Sequence, residues 1–429
     1  MMVDRKIGYE YVSRVEGQGL LEVCISGSNA VEVRFEVFEP PRFFEAFVKG
    51  RNVLELPELT ARICGVCPIA HAITAAKAIE NALKVSIDEE TVTLRKALAL
   101  SGIMQSHALH IYFLAAPDYL GYPSAIAASK DLEEVVLRGL RLKRVANMVS
   151  EWIGGRSVHP VTLVVGGLSR PPPKERLYQI RESLNQALED AVKTVELVSG
   201  FNYPDFEPNH IDVALSGRTS YPIIEGGVGT SSGQYFDERT YRGNVVEEQV
   251  PYSNTKRSRL KEGGSFEVGP TARFNLNYSF LCDGAKEAAE KAGLKPPVMN
   301  PFKATVVRAV EVVQAIEEMQ ESFGVGVAEP PSHTVRLQQG SGAAVTEAPR
   351  GLLYHAYTMD KEGKVLNSDI VTPTAHNAFR IEEDIREFTP TIVHLDDEAV
   401  MRLYGMLIRA YDPCISCSVH AFNIKVLRR

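Results

Sequence analysis

Apolar and polar residues alternate along the first part of the chain. Between residues 7 and 38 the runs LLEVCIS and VEVRFEVF lie on either side of a GSN turn. An alternation with a period of two places successive side chains on opposite faces of a strand. The pattern therefore predicts a β-hairpin or meander over this segment.

Apolar residues at helical spacing follow and recur through much of the chain. Pro68 is well placed to begin a helix, since it has no N–H to satisfy in the first turn, and the helical period runs on to Leu83. Long helices packed side by side suggest a bundle core. The same period predicts further helices over 131–153, 174–199, 282–292 and 303–323.

Residues 97–117 contain no Asp, Glu, Lys or Arg and are long enough to span a bilayer. Gln105, Ser106, His107 and His110 interrupt this run, and polar groups are costly inside a membrane. We therefore expect a buried core helix here and no direct membrane span.

The composition changes between residues 201 and 275, where Gly, Tyr, Ser and Asn are frequent and apolar runs are short. This predicts a β-rich insert. The Gly- and Ser-rich run over 340–351 is predicted to be a loop. The expected fold class is thus α-rich α+β, with a long-helix bundle core and peripheral β-containing parts.

Bulk properties exclude several classes of protein. The 429 residues are 45% hydrophobic and 24% charged, as in ordinary globular chains. The net charge is −7 and no basic stripe is present, so nucleic-acid binding is not expected. The sequence begins without the apolar core of a signal peptide. No GxGxxG or P-loop pattern occurs, so this chain is not expected to bind a nicotinamide itself.

The distinctive chemistry lies in four of the six cysteines, which form two Cys-x-x-Cys pairs: Cys64 with Cys67, and Cys414 with Cys417. Two such pairs can offer four thiolates to one soft metal centre. Zinc ribbons place their pairs about 15–20 residues apart, whereas here most of the chain lies between them. If the pairs meet, the two ends of the chain must meet, which predicts a single intertwined catalytic domain over 1–429.

The residues around both pairs, RICGVCPIAH at 62–71 and DPCISCSVH at 412–420, resemble the two metal-binding signatures of nickel–iron hydrogenase large subunits. The resemblance spans most of the chain and is nearest to the soluble, cytoplasmic, bidirectional group linked to NAD(P). It implies the large-subunit fold of that family and reversible heterolytic cleavage of H2 at a nickel–iron centre that carries CN and CO on iron.

The resemblance also assigns roles at the metals. It implies that Cys64 and Cys414 are terminal nickel ligands and that Cys67 and Cys417 bridge nickel to iron. Cys414 is then the first base expected to accept a proton. Arg350, in EAPRG, lies over the open face of the metal pair in the family.

Glu16, in RVEGQG, matches a family glutamate that passes protons from the metals to the surface. Taken alone, it would be a solvated carboxylate at a strand end. Gln18 stands where the family commonly has His. Glu45 in PPRFFEAFVKGR and His420 match ligands of a magnesium ion, a hard cation that prefers oxygen.

Four more residues are implied near the metals. His71 is expected to hydrogen-bond a thiolate, and Asp118 matches a nearby carboxylate. Pro349 is expected to pack on a diatomic ligand, and Thr374 to hydrogen-bond a cyanide. A further segment, VGPTARFN at 268–275, resembles a family motif without an assigned role.

The resemblance implies partners as well. All four clustered cysteines are used at the metals, so the iron–sulfur clusters that carry electrons away belong to a small subunit. Flavin/NAD(P) and additional iron–sulfur subunits, nickel-insertion proteins and a maturation protease are also implied. That protease would cut after His420 and remove 421–429.

Three alternatives remain at this point. The first is a structural zinc protein, since four thiolates suit zinc. The second is the quinone-site subunit of respiratory complex I, whose members lack the cysteine quartet. The third is the large subunit of a membrane-bound energy-converting hydrogenase.

Overall fold

The structure is a computed structural model, and it describes residues 3–9, 11–40, 42–323 and 335–419. Helices make up 49% of the described residues, and the sheets are small. The predicted fold class, α-rich with peripheral β parts, is confirmed.

Thirteen strands in the described residues pair into five antiparallel sheets, and neighbours within each sheet are also neighbours in sequence. Each sheet is therefore a local hairpin or meander. The strands are β1 Arg5–Tyr9, β2 Gly19–Ser26, β3 Asn29–Val37, β4 Leu163–Val164, β5 Gly167–Leu168, β6 Val213–Ser216, β7 Gly227–Thr230, β8 Tyr235–Phe236, β9 Val245–Gln249, β10 Lys256–Leu260, β11 Gly340–Ala348, β12 Gly351–Met359 and β13 Val365–Val371.

The same described residues form fifteen α-helices. They are α1 Phe44–Phe47, α2 Leu56–Ala61, α3 Pro68–Leu83, α4 Glu89–Leu109, α5 Ala116–Leu120, α6 Ala125–Ala128, α7 Glu133–Gly154, α8 Lys174–Ser199, α9 Tyr241–Asn244, α10 Pro270–Asn277, α11 Asp283–Lys291, α12 Ala304–Ser322, α13 Pro373–Ile392, α14 Asp397–Tyr411 and α15 Ile415–Ser418. Short 3-10 turns lie at Val53–Glu55, Tyr278–Phe280 and Pro301–Lys303.

The largest apolar cluster lies within a bundle of α4, α7, α8 and α12, which pack on one another. The long helices expected from apolar spacing are all present, with ends within two residues of the predicted ones. Helix α12 is buried on nearly every side, as a helix at the middle of a core should be. At the start of α4, the Asp88 carboxylate caps the helix by accepting from Thr91 N–H at 2.8 Å.

The uncharged segment 97–117 lies within the buried core, as expected. Helix α4 runs into a π-helical turn, His110–Ala115, which leads directly into α5. A π turn inserts an extra residue into a helix and so redirects the side chains beyond it. In the described part of the chain, no helix combines the length and the hydropathy needed to cross a bilayer.

The two ends of the described chain meet in a second apolar core. Strands β1–β3 form the predicted meander, and their apolar faces pack with those of α13 and α14. The backbone joins the ends directly: Ile415 N–H donates to Glu16 O at 2.9 Å, and Arg42 N–H donates to Val419 O at 2.5 Å. Residues from opposite ends of the sequence are thus fixed next to each other.

Five strands, β6–β10, lie between residues 201 and 275. Their apolar residues share a cluster with side chains of β11–β13. The prediction of a loop over 340–351 is wrong, because these residues form β11 and the turn into β12. The glycines there permit close packing on a helix: a Cβ on Gly342 would lie 2.4 Å from both Ala78 O and Ala82 N of α3.

Replacing Gly342 with Ala should therefore destabilise the protein, by about 1–3 kcal/mol as for other overpacked sites, because the new methyl group meets backbone atoms that cannot rotate away. Thermal unfolding of the variant measures this. Gly243→Ala is the matched control, since a Cβ at that position has no neighbour within 4 Å. Equal melting temperatures for the two variants would contradict the close packing of β11 on α3.

Candidate metal centre

The four cysteines of the two Cys-x-x-Cys pairs come together in one buried place. Their Sγ atoms all lie within 4.8 Å of one another, and each residue is at most 5% exposed. Cys64 lies in the turn before α3 and Cys67 caps the N-terminus of α3. Cys414 and Cys417 lie at the turn after α14 and in α15.

The spacing of the sulfurs suits one metal centre. Metal–sulfur bonds of about 2.3 Å allow sulfur atoms on one metal to be at most about 4.6 Å apart. Sγ of Cys64 is 3.4 Å from Sγ of Cys414, and Sγ of Cys67 is 3.8 Å from Sγ of Cys417. Each of these contacts pairs one cysteine from either end of the chain. The donor set is soft and rich in electrons, which fits nickel and a second, sulfur-bridged metal.

Cys414 and Cys417 have their sulfur atoms in direct contact as a disulfide pair, whereas Cys64 and Cys67 are free thiols. Only thiolates act as metal ligands. A four-thiolate site therefore needs Cys414 and Cys417 in the reduced form.

Hydrogen bonds and a nearby positive charge lower the pKa of the Cys64 thiol. Its sulfur accepts hydrogen bonds from the backbone N–H groups of Val66 and Cys67, at 3.2 and 3.1 Å. Burial opposes ionisation, but hydrogen bonding with Cys67 and the charge of Arg350 lower the pKa of Cys64. The same hydrogen bond, together with burial, raises the pKa of Cys67.

Arg350 is held beside the C-terminal cysteines. It lies in the turn between β11 and β12, where its Nε donates to Asp412 O at 2.6 Å and its Nη2 donates to Asp412 Oδ1 at 2.9 Å. Burial disfavours its charge, yet Asp412, Cys67 and Cys64 together raise the pKa of Arg350. The guanidinium therefore stays charged next to the sulfur cluster.

Glu16 contacts the sulfur cluster directly. Its Oε2 lies 3.2 Å from Cys414 Sγ and accepts from Ser416 N–H at 3.1 Å, while Ser416 Oγ donates to its Oε1. The side chain is only partly buried. When Cys414 is reduced, Glu16 has a thiol on one carboxylate oxygen and a hydroxyl on the other, an arrangement suited to accepting and passing on a proton.

Thr374 contacts Cys414, and Pro349 is the residue before Arg350. Thr374, in the first turn of α13, accepts from Cys414 N–H through Oγ1 at 2.9 Å. A hydroxyl that accepts in this way still has its own hydrogen to donate. Pro349 precedes Arg350 in the turn, and its carbonyl accepts from Arg273.

His71 begins a line of buried polar side chains. Its Nδ1 lies 3.0 Å from Nε2 of His355, whose Nδ1 lies 2.7 Å from the hydroxyl of Tyr357. His71 also follows Cys67 by one helical turn, with its N–H on Cys67 O at 3.5 Å. The hydrogen bond to a thiolate expected for His71 stays a prediction.

Asp118 lies in α5, where its carboxylate contacts two arginines. Arg14 contacts its Oδ1, and Arg409 Nε donates to its Oδ2 at 2.7 Å. These residues line a surface cleft of about 820 Å³. Asp118 thus ties the segment that carries Glu16 to α14, which leads into the second Cys-x-x-Cys pair.

Glu45 is buried in α1, with its Oε1 accepting from Ile370 N–H at 2.9 Å and its Oε2 3.8 Å from Lys256 Nζ. A buried carboxylate oxygen is a suitable magnesium ligand. Lys256 also lies 3.4 Å from Glu247. The second expected magnesium ligand, His420, and the tail 421–429 lie outside the described residues.

Two residues of the site were not singled out from the sequence, although both lie within DPCISCSVH. Asp412 binds Arg350 from a left-handed backbone conformation, φ 51°, and Ser416 binds Glu16. The Asp before Pro-Cys was a usable signal for the first. The partner of Ser416 comes from the other end of the chain, so no local pattern indicates it.

The sequence profile of the nickel-dependent hydrogenase family matches residues 42–136 and 226–420. The chain therefore belongs to the nickel-dependent hydrogenase family. Its activity class is hydrogenase, an oxidoreductase acting on hydrogen, and it is the catalytic large subunit, with a nickel–iron centre.

Individual relatives agree over nearly the whole length. The chain is 34% identical to the alpha subunit of sulfhydrogenase 1 from Pyrococcus furiosus, covering 97% of this chain and 98% of that one. It is 29% identical to a subunit of the F420-non-reducing hydrogenase of Methanothermobacter marburgensis, covering 97% and 95%. In structure it resembles an NAD+-reducing [NiFe]-hydrogenase, with a TM-score of 0.86 at 24% identity over 98% of this chain and 100% of that one.

Cys414→Ala should remove one of the four sulfur donors and so leave the purified protein without nickel, because the remaining donors no longer complete the site. Metal analysis of protein made with its maturation system measures nickel and iron per chain. Cys282→Ala is the control, since this free cysteine lies outside the cluster. A Cys414→Ala chain with full nickel content would contradict the four-sulfur site.

Proposed function

We propose that this protein catalyses the reversible cleavage of H2 into protons and electrons at a nickel–iron centre held by Cys64, Cys67, Cys414 and Cys417. In this proposal Cys64 and Cys414 would hold nickel alone, and Cys67 and Cys417 would be shared between nickel and an iron that carries CN and CO. The observation that carries it is the buried group of four sulfurs, with Glu16 3.2 Å from one of them.

The metal pair, when bound, supplies the Lewis acidity and redox capacity for heterolytic cleavage of H2. The chain supplies a site that excludes water, because all four cysteines are at most 5% exposed. Arg350 supplies a fixed positive charge, since Asp412 holds the guanidinium at two points. A planar guanidinium held in this way is preorganised and need not move during the reaction.

The proton leaves through Cys414 and Glu16. Cys414 Sγ is the first proton acceptor, and Glu16 Oε2 accepts the proton from it over 3.2 Å. Ser416 donates from Oγ to the other oxygen of Glu16 and so holds the carboxylate in place for this transfer. A proton transfer between groups already in hydrogen-bond contact needs no large movement.

Electrons pass first to a small subunit that carries iron–sulfur clusters. From there they pass through flavin/NAD(P) and additional iron–sulfur subunits to NAD(P). Likeness in fold to an NAD+-reducing enzyme supports this acceptor. The 34% identity to a protein named sulfhydrogenase supports a second candidate, a sulfur-linked acceptor. A four-thiolate site needs Cys414 and Cys417 reduced, which suits the reducing conditions of the cytoplasm, where we place the complex.

The whole chain, 1–429, acts in this proposal as one intertwined catalytic unit. Magnesium binds Glu45 and His420, nickel-insertion proteins load the site, and a maturation protease then cuts after His420 and removes 421–429. Support for a shared magnesium site comes from the hydrogen bond of Arg42 N–H to Val419 O, since Arg42 is three residues before Glu45 and Val419 is the residue before His420.

One preparation tests these assignments together. The active complex, purified without oxygen from its source, should contain an iron–sulfur protein, a large subunit ending at His420, and magnesium beside nickel and iron. Its infrared spectrum should show CN and CO stretches, and H2 should reduce NAD(P)+. An active large subunit ending at Arg429 contradicts cleavage, and reduction of polysulfide in place of NAD(P)+ selects the second acceptor.

Glu16→Gln should keep the nickel content but slow turnover by on the order of 100-fold or more, because glutamine preserves shape and hydrogen bonding and cannot carry a proton. H2 oxidation and the exchange of D2 with water protons both measure the effect. Glu22→Gln, on β2 and paired with Lys6, is the control. A metallated Glu16→Gln enzyme with normal rates would show that protons leave by another route.

A further inference from the structure

The segment Val268–Asn275, VGPTARFN, contains a fully buried arginine that contacts the turn before Arg350. Arg273, on α10, donates from Nη1 to Ala348 O at 3.0 Å and from Nη2 to Pro349 O at 3.0 Å. These two carbonyls immediately precede Arg350. The position of the Arg350 backbone therefore depends on Arg273.

Arg273 is itself fixed by two carboxylates. Its Nε and Nη2 donate to Glu311 at 2.7 and 2.6 Å, and its Nη1 donates to Glu347 at 2.9 Å. Glu311 is on α12 of the central bundle, where Tyr221 donates to it at 2.6 Å and His107 Nε2 lies 2.7 Å away. All five N–H bonds of the guanidinium are thus used, two on carbonyls of the turn and three on carboxylates.

The backbones of the two segments also touch. A Cβ on Gly269 would lie 3.1 Å from Arg350 O, and one on Gly351 would lie 2.7 Å from Gly269 N. Both glycines have φ near +130°, at 129° and 128°. The turn that carries Arg350 therefore has little room to shift once α10 is in place.

We propose that Arg273 is a positioning residue for Arg350: it connects the bundle helix α12 to the β11–β12 turn and so sets where the Arg350 guanidinium lies relative to Asp412 and the sulfurs. Lysine cannot replace it, because an ammonium offers three donors at one point, whereas this site uses five in a planar fork. The inference depends on the proposed role of Arg350 in the hydrogen reaction.

The test compares Arg273→Lys with Arg95→Lys in the complete, nickel-loaded complex. Arg95 is a matched control, since it is also buried, donates to both oxygens of Glu80 at 2.9 and 2.7 Å, and binds the carbonyl oxygens of Val164 and Gly167. Both substitutions remove a buried guanidinium from a comparable set of partners. Only Arg273→Lys alters the turn that carries Arg350.

We expect Arg273→Lys to lower kcat for H2 oxidation by on the order of 100-fold at unchanged nickel content, the loss typical of a catalytic group displaced by about 1 Å. Amide hydrogen exchange over residues 347–352 should rise in this variant. Arg95→Lys should change neither quantity. Full turnover in Arg273→Lys, or an equal loss in Arg95→Lys, overturns the inference.

A double variant separates this inference from the role of Arg350. If Arg273 acts through Arg350, the double variant Arg273→Lys/Arg350→Lys should be no slower than Arg350→Lys alone. Multiplied losses show independent action and overturn the inference, while the role of Arg350 stands. A fully active Arg350→Lys enzyme rejects that role and the inference together.

Should Arg273→Lys fail to fold, Glu347→Gln takes its place, because it removes the negative charge that Arg273 Nη1 binds and leaves one oxygen to accept from Leu215 N–H. The expected result is a smaller loss that disappears in the Arg350→Lys background. A loss that persists at full size in that background overturns the inference.

Discussion

The meeting of two distant Cys-x-x-Cys pairs is the constraint on which the rest of the structure depends. Four sulfurs within 4.8 Å of one another require residues near both ends of the chain to be fixed at one point. The N-terminal meander achieves this by packing on α13 and α14 and by holding Ile415 through Glu16. The bundle of α4, α7, α8 and α12 forms a separate, larger core beside it. The first core joins the two ends of the described chain, and the second holds the long helices together.

Burying thiolates is costly unless positive charge and hydrogen-bond donors replace water. Backbone N–H groups and Arg350 do so for Cys64, whose pKa is lowered against the effect of burial. The Arg350 guanidinium is itself paired with Asp412, and the β11–β12 turn that carries Arg350 is hydrogen-bonded to Arg273. Each buried charge thus requires another, so the site extends well beyond the atoms that hold metal. This explains why polar residues occur so deep in an otherwise apolar core.

Much of the fold could be predicted from local patterns, because an apolar period reports directly which face of a helix is buried. The ends of α7, α8, α11 and α12 followed from it within two residues. The run 340–351 could not be predicted in this way. Its glycines, which usually indicate a loop, are needed because β11 lies against the backbone of α3. That contact joins residues far apart in sequence, so the residues around 340–351 do not by themselves show why glycine is needed there.

The site residues also fall into those that local sequence indicates and those that it does not. The cysteines, Glu16 and Arg350 lie in motifs that a sequence displays, whereas Ser416, His355 and Arg273 are defined by their partners. A side chain at such a position must offer the same number of hydrogen-bond donors in the same directions, so few substitutions keep its hydrogen bonds. Apolar positions in the bundle are restricted only by volume and tolerate many exchanges. A fold shared at a TM-score of 0.86 with 24% identity is what this division predicts. The core can vary widely as long as the hydrogen-bonded set around the sulfurs keeps its geometry.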